Sequence, residues 1–275
     1  MCRLLAYLGL SISLEKLLYN HEHSLITQSY QPQEMISGTV NVDGFGIGWY
    51  DTQRQKEPFT YKNTLPIWND VNLPSLSRYI NSKCILAYIR SATAGQALDF
   101  SNCQPFQYQN LSFVHNGKID NFRQTLYRPI RTQLSDKLYE WVAGTTDSEH
   151  IFALILHEWQ SSSGKSLEQA LQVTLLKLRD WAKKYQTYIL ANIVISDGNK
   201  LIISRFSTTE SSPSLYWLAE DDTLTAEENR SSGSLPMNNA FVIASEPLFV
   251  GNWTTFPENS IMSVGRNLEI KIQQL

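Results

Sequence analysis

Two neighbouring stretches of helical periodicity, set into a chain of short β-like runs, constrain the fold of this sequence more than any other feature. Residues 148–158 and 166–184 read as amphipathic helices. In the second, Leu167, Ala170, Leu171, Leu175, Leu178 and Ala182 recur at spacings of three and four. Before them come β-like runs at 2–8, 84–89 and 111–114, and a short helical stretch over 13–20 carrying Leu14, Leu17 and Leu18. After them strands return at 188–196, 200–206, 214–218, 239–245 and 260–273. The first pair is joined by the hairpin signal Ser196-Asp197-Gly198-Asn199. Strands, then two helices in succession, then strands again predicts layered α+β with mostly antiparallel sheets rather than a doubly wound parallel sheet. Two sheets stacked between helical layers would bury both faces of the central strands, which suits the unbroken apolar run 84–89. No linker or internal repeat divides the 275 residues, so a single domain over 1–275 is expected. Segments 207–213 and 220–238, rich in Ser, Thr, Glu and Asn, are expected to be surface loops.

A net charge of −3 gives no electrostatic footprint for nucleic acid. No apolar run approaches the roughly 20 residues of a spanning helix, and the start MCRLLAYLGL is too short an apolar stretch for a cleaved leader. The expected compartment is the cytoplasm, with no membrane partner. Three cysteines, Cys2, Cys84 and Cys103, are too few for a disulfide framework. The five histidines lack metal-ligand spacing, so no metal and no cofactor are expected. The run 44–50 opens with glycines but lacks the Lys-Ser/Thr ending of a phosphate loop; its glycines are expected to admit close backbone approach.

Chemistry centres on Cys2. If Met1 is removed, Cys2 carries a thiol and a free α-amine, whose ordinary pKa values of about 8.5 and 7.7–8.0 let the amine take the thiol proton at neutral pH. The alternative is an ordinary buried cysteine opening the first strand. A thiol that attacks an amide needs oxyanion donors, a cation for a substrate carboxylate and an anion for a substrate ammonium. Asn116 and Gly117, in His115-Asn116-Gly117, offer a side-chain amide and a backbone N–H to one oxygen; the same dipeptide also reads as a hairpin turn. Arg90 ends the apolar run and opens Arg90-Ser91-Ala92-Thr93-Ala94-Gly95. It is placed either to grip a carboxylate, with Thr93 adding a hydrogen bond, or to lie on the surface. Asp147, in Thr146-Asp147-Ser148-Glu149, either binds an ammonium or caps the helix, a task Ser148 also fits.

Taken together, Met1-Cys2-Arg3, Asp43-Gly44-Phe45-Gly46, Arg90 to Gly95, Phe113 to Gly117 and Thr146 to Glu149 resemble the class II glutamine amidotransferases, a family of N-terminal-nucleophile hydrolases. Ala244-Ser245-Glu246-Pro247-Leu248 is similar to the stand-alone branch of that family. Residues 24–30 and 38–50 bring the chain nearest to the ergothioneine-pathway amidohydrolase branch, which cleaves γ-glutamyl-hercynylcysteine sulfoxide; a related branch acts in glutathione degradation. The resemblance implies an αββα sandwich of two antiparallel sheets. It implies Cys2 as nucleophile with its own amine as base, and Asn116 and Gly117 as oxyanion hole. It further implies Arg90 with Thr93 for the α-carboxylate, Asp147 for the α-ammonium, and Asp43 and Gly44 in a positioning role. The implied partner is a small γ-glutamyl amide, with a separate ammonia-accepting enzyme or a non-catalytic binding role as alternatives. Ser91 stands where the family often has Trp, and Gln104-Pro105-Phe106 where many members have His-Pro-Phe.

Overall fold

The first strand, β1 (Arg3–Ser13), shares its side chains between two cores. Leu4, Ala6 and Leu8 point one way and Leu5 and Tyr7 the other, the two-residue period of a pleated strand. The computed structural model describes residues 1–35, 38, 40–92, 97–220 and 239–275. The other strands are β2 (Phe45–Trp49), β3 (Phe59–Asn63), β4 (Asn81–Ile89), β5 (Phe106–Tyr108), β6 (Leu111–Ile119), β7 (Ile189–Ser196), β8 (Lys200–Ser207), β9 (Tyr216–Glu220), β10 (Ala240–Ala244), β11 (Thr254–Thr255), β12 (Ser260–Gly265) and β13 (Ile270–Gln274). The helices are α1 (Leu14–Leu18), α2 (Leu25–Tyr30), α3 (Leu73–Tyr79), α4 (Tyr127–Arg131), α5 (Asp136–Trp141), α6 (Asp147–Gln160) and α7 (Leu167–Lys184).

Seven strands form one sheet in the order β11-β9-β10-β1-β4-β2-β3, and six form a second in the order β13-β12-β8-β7-β6-β5. The pairings between neighbouring strands are antiparallel. Between the sheets lie Leu4, Leu86, Val114, Val194 and Ile203. On the outer face of the first sheet, Leu5, Ile85 and Ala87 pack against Leu14, Leu17, Leu25 and Leu73 from α1, α2 and α3. On the outer face of the second, Phe113, Ile193 and Ile195 pack against Phe152, Ile155, Leu171 and Leu175 from α6 and α7. Each fully buried leucine or isoleucine contributes about 1.5–3 kcal/mol. The result is the αββα sandwich that the resemblance implied, in keeping with the layered α+β read from the order of elements. Among the described residues, no helix is long and apolar enough to cross a membrane.

Local signals decide the helix ends. Ser166 and Gln169 form a reciprocal capping box that starts α7 one residue later than its apolar period suggests. Neither Asp147 nor Ser148 caps α6. Thr146 does, its hydroxyl accepting from the Glu149 N–H at 3.3 Å, which leaves Asp147 in the first turn with its carboxylate released for other contacts. The single β-like run 260–273 is two strands, β12 and β13, reversed where Leu268 adopts a left-handed φ of 57°. The expected loop at 220–238 lies outside the described residues from 221 onward.

Candidate active site

Register places the candidate residues at one end of the sandwich. Arg3 at the start of β1 pairs with Ile89 at the end of β4, and Ile89 also pairs with Phe45 at the start of β2. Cys2, Arg90 and Gly44 therefore cluster at the same end of the first sheet. The Ser91 N–H donates to the Cys2 sulfur at 3.2 Å, and the Cys2 thiol lies 3.4 Å from the Ser91 carbonyl oxygen. Cys2 belongs to the inter-sheet core and is 9% exposed.

Asp43 and Gly44 zip onto the end of β4. The Arg90 N–H donates to the Gly44 carbonyl at 2.8 Å, the Asp43 N–H to the Arg90 carbonyl at 3.2 Å, and the Ala92 N–H to Asp43 Oδ2 at 2.7 Å. Gly44 has φ of 109°, and a Cβ there would sit 2.7 Å from the Asn63 carbonyl, so only glycine fits this turn. The buried Arg90 guanidinium donates to the carbonyls of Asp43 at 3.4 Å and Ala97 at 3.2 Å. Asn102 links this loop to the approach of α6: its amide donates to the Ala97 carbonyl at 3.1 Å and its oxygen accepts from the Thr145 N–H at 2.9 Å. Thr93 lies outside the described residues.

His115-Asn116-Gly117 is not a turn. It continues β6, with Asn116 opposite Asn192 and Gly117 opposite Ala191 on β7. The Gly117 position is closed to any side chain, since a Cβ would fall 1.9 Å from the Leu190 carbonyl oxygen and 2.6 Å from the His115 ring. Ser245, just after β10, joins the two sheets: its hydroxyl oxygen accepts from the Leu4 N–H at 3.0 Å and from Asn116 Nδ2 at 3.3 Å. Asn116 Oδ1 is buried with no partner. A half-turn of that amide would let the Ser245 hydroxyl donate to Oδ1 and turn both amide hydrogens toward the unpaired side.

Behind β6, His115 Nε2 lies 3.1 Å from the Leu190 carbonyl, which can only accept, so Nε2 carries the proton. Nδ1 then accepts from the Ser148 hydroxyl at 2.8 Å. Burial pushes the His115 pKa down, against the opposing charge of Asp147, and the ring is neutral. Asp147 Oδ2 accepts from the Ile119 N–H at 2.7 Å and Oδ1 from the Ser148 N–H at 2.8 Å. Oδ1 also lies 3.4 Å from the Ser148 hydroxyl. Gln104, in the His-Pro-Phe position, grips the His115 backbone in both directions, at 2.5 and 3.0 Å.

The terminal amine and Tyr88 carry shifted pKa values. Burial lowers that of the chain's terminal amine, which belongs to Met1 here, with the charges of Cys2, Arg3 and Asp43 adding smaller, mixed effects. Burial raises that of Tyr88 well above the ordinary tyrosine range, and the charge of Cys2 adds to the rise. Arg90 and Asp147 act on the same hydroxyl in opposite senses. On the outer face of the sheet, Arg3 Nη2 and Glu246 Oε1 form a buried ion pair at 2.6 Å, and His23 Nε2 meets Glu246 Oε2 at 2.7 Å.

Residues 1–270 match the family of class II glutamine amidotransferases. The chain belongs to that family. It is 32% identical over 293 aligned positions to the probable glutamine amidotransferase DUG3 of Saccharomyces cerevisiae, covering 96% of this chain and 82% of that protein. It is 34% identical over 120 positions to the γ-glutamyl-hercynylcysteine sulfoxide hydrolase of Mycobacterium tuberculosis, covering 44% of this chain and half of that protein. The structure of a glutamine aminotransferase class-II domain protein from Silicibacter pomeroyi superposes with a TM-score of 0.69 over 99% of both chains, at 23% identity. The chain is therefore a glutamine amidotransferase-type amidohydrolase of the N-terminal-nucleophile fold.

Proposed function

We propose that the protein hydrolyses a γ-glutamyl amide bond, with Cys2 as nucleophile once Met1 has been removed. The observation that carries this reading is the Ser245 bridge. By accepting from the Leu4 N–H and from Asn116 Nδ2, it ties the strand of Cys2 to the strand of Asn116, which supports reading the two residues as one site. The amine freed on Cys2 enters surroundings that already favour the neutral form of the Met1 amine, so it serves as base. The thiolate attacks the γ-carbonyl, and Asn116 and Gly117 take the oxyanion, each such donor supplying about 2.7–4 kcal/mol. The tetrahedral intermediate collapses, the leaving amine takes the proton held by the Cys2 amine, and a glutamyl thioester forms. Water, deprotonated by the same amine, releases glutamate and the thiol.

Arg90 and Asp147 are assigned to the glutamyl α-carboxylate and α-ammonium, with Asp43 and Gly44 holding the Arg90 loop. We assign the substrate to the class of γ-glutamyl-hercynylcysteine sulfoxide, on the similarity to the mycobacterial hydrolase. The similarity to DUG3 favours glutamine as the rival substrate, with ammonia passed to a separate enzyme. The test is turnover of glutamine, a glutathione-like peptide and γ-glutamyl-hercynylcysteine sulfoxide by wild type and Cys2→Ala. The expected result is glutamate release from the sulfoxide above the other two, and none from the variant. Turnover by Cys2→Ala removes the thiol from the mechanism, and a preference for glutamine removes the substrate assignment.

A further inference from the structure

We infer that Arg3 is a positioning residue for the nucleophile: its guanidinium, anchored on Glu246, holds the Cys2 carbonyl and so fixes how the amine and sulfur of Cys2 are presented. This rests on Cys2 being the nucleophile. Once Met1 is gone, Cys2 hangs from β1 by one planar peptide. Two backbone torsions then place its amine and side chain: φ of Arg3, which tilts that plane, and ψ of Cys2. One edge of the plane is held by β4, through the Arg3–Ile89 pair. The other edge, the Cys2 carbonyl, faces the β10 side, where the ladder has already ended. The β1–β10 pairs stop at Leu5–Ala244, and Ser245 serves Leu4, its hydroxyl oxygen accepting from the Leu4 N–H and its own N–H donating to the Leu4 carbonyl, at 3.0 Å each. By the two-residue period the Cys2 carbonyl turns to that same side beyond the last pair, and Arg3 Nη1 is its donor at 3.2 Å. The Ser91 N–H, 3.2 Å from the sulfur, restrains the second torsion.

The guanidinium is itself held. Arg3 Nη2 lies 2.6 Å from Glu246 Oε1, and both side chains are 1% exposed. The carboxylate is fixed in turn by His23 Nε2 at 2.7 Å and by the Gln33 and Glu34 N–H groups at 2.9 Å. Gln28 Nε2 fastens the backbone behind it, donating to the Glu246 carbonyl at 3.1 Å and to the His23 carbonyl at 3.0 Å. A buried ion pair is by itself weak evidence of stabilisation, because well-packed apolar side chains fill such space equally well. Leu5 and Tyr7, on the same face of β1, are buried in that way. What an apolar side chain at position 3 lacks is a donor for the Cys2 carbonyl. A lysine keeps the charge, but its single point donor does not reproduce a fork that meets carbonyl and carboxylate with separate nitrogens.

The test uses chains shown by intact mass to begin at Cys2: wild type, Arg3→Lys, and Arg3→Met combined with Glu246→Gln. The double change removes both charges together, while the new amide oxygen still accepts the loop N–H groups. Both variants are expected to melt near wild type. Both should lower kcat about tenfold with KM within about twofold, for glutamine or γ-glutamyl-hercynylcysteine sulfoxide, whichever wild type turns over faster. Both should also speed iodoacetamide alkylation of Cys2, read on the N-terminal peptide, which needs no substrate. Slower turnover with faster alkylation marks a nucleophile set loose; a residue that only stabilises the fold moves neither in a fully folded variant. If the double variant does not fold, Arg3→Lys decides. An unchanged kcat, or an unchanged alkylation rate, in a folded variant overturns the inference. A wild type that turns over no γ-glutamyl amide overturns the substrate reading, and the alkylation rates alone then decide the role of Arg3.

Discussion

Replacing Glu246 with alanine is expected to destabilise the fold by about 3–5 kcal/mol, because it leaves the Arg3 guanidinium charged and buried without its counterion. Glu246 is the hub of four contacts. Oε1 takes Arg3 Nη2 at 2.6 Å and the Glu34 N–H at 2.9 Å, and Oε2 takes His23 Nε2 at 2.7 Å and the Gln33 N–H at 2.9 Å. The side chains of Arg3 and Glu246 are each 1% exposed, whereas Gln33 and Glu34 are exposed and His23 is partly so. Water can resolvate the loop N–H groups and His23, so nearly all of the cost falls on Arg3. Its remaining side-chain bond is to the Cys2 carbonyl at 3.2 Å. At about 2–4 °C per kcal/mol for a chain of this size, the melting temperature should fall by about 10 °C.

The pH dependence of that loss follows from the sign of the Glu246 shift. Burial alone would raise its pKa. The hydrogen bond from His23, those from the Gln33 and Glu34 N–H groups, and the Arg3 charge outweigh burial and leave it below the ordinary value. A depressed carboxylate stabilises the folded state above its unfolded pKa of about 4.3, and the contribution disappears as pH falls through the lower folded value. The difference between wild type and Glu246→Ala, measured by urea denaturation, should therefore be full at pH 7 and shrink below about pH 4. A difference under about 1 kcal/mol at pH 7, the scale of an exposed ion pair, would refute the claim that the pair is buried and decisive. So would a difference that persists undiminished at acid pH.

Gly117→Ala should separate fold from chemistry poorly, and that is its use. A Cβ 1.9 Å from the Leu190 carbonyl must push β6 from β7, so both stability, by about 1–3 kcal/mol, and glutamate release should fall, as calorimetry and turnover will show. Cys2→Ala should do the opposite. It removes a small, nearly buried side chain and one hydrogen bond from the Ser91 N–H, so its melting curve should stay within about 1 kcal/mol of wild type while turnover is lost.

The fold was legible in the sequence because periodicity reports burial. The run 84–89 is buried along its length in β4, and the three-and-four spacing of α7 matches its buried face. Boundaries were less legible where polar side chains decide them, as at Thr146, whose hydroxyl caps α6. The Asn-Gly pair at 116–117 carries a turn signal, yet eight ladder pairs with β7 keep it in a strand. Tertiary pairing overrides local preference there.

The site was legible only as far as motifs reach. The structure brings Cys2, Asp43, Gly44, Arg90, Asn116, Gly117 and Asp147 toward one end of the sandwich. Contacts that tie them together come from residues to which the sequence assigned no role. Ser245 lies 243 residues after Cys2 and acts through one hydroxyl; Asn102 joins two loops. The Ser-Glu pair in Ala244-Ser245-Glu246-Pro247-Leu248 was the available signal, two polar residues ending an apolar strand, and both are buried.

The decisive measurement compares two preparations of the chain, identified by intact mass: one beginning at Cys2, and one in which Met1 is retained by acetylation of its amine. The first should release glutamate from a γ-glutamyl amide, and the second should be folded but inactive because the group that accepts the sulfur's proton has become a peptide bond. Equal rates from the two would show that the terminal amine has no part in the chemistry.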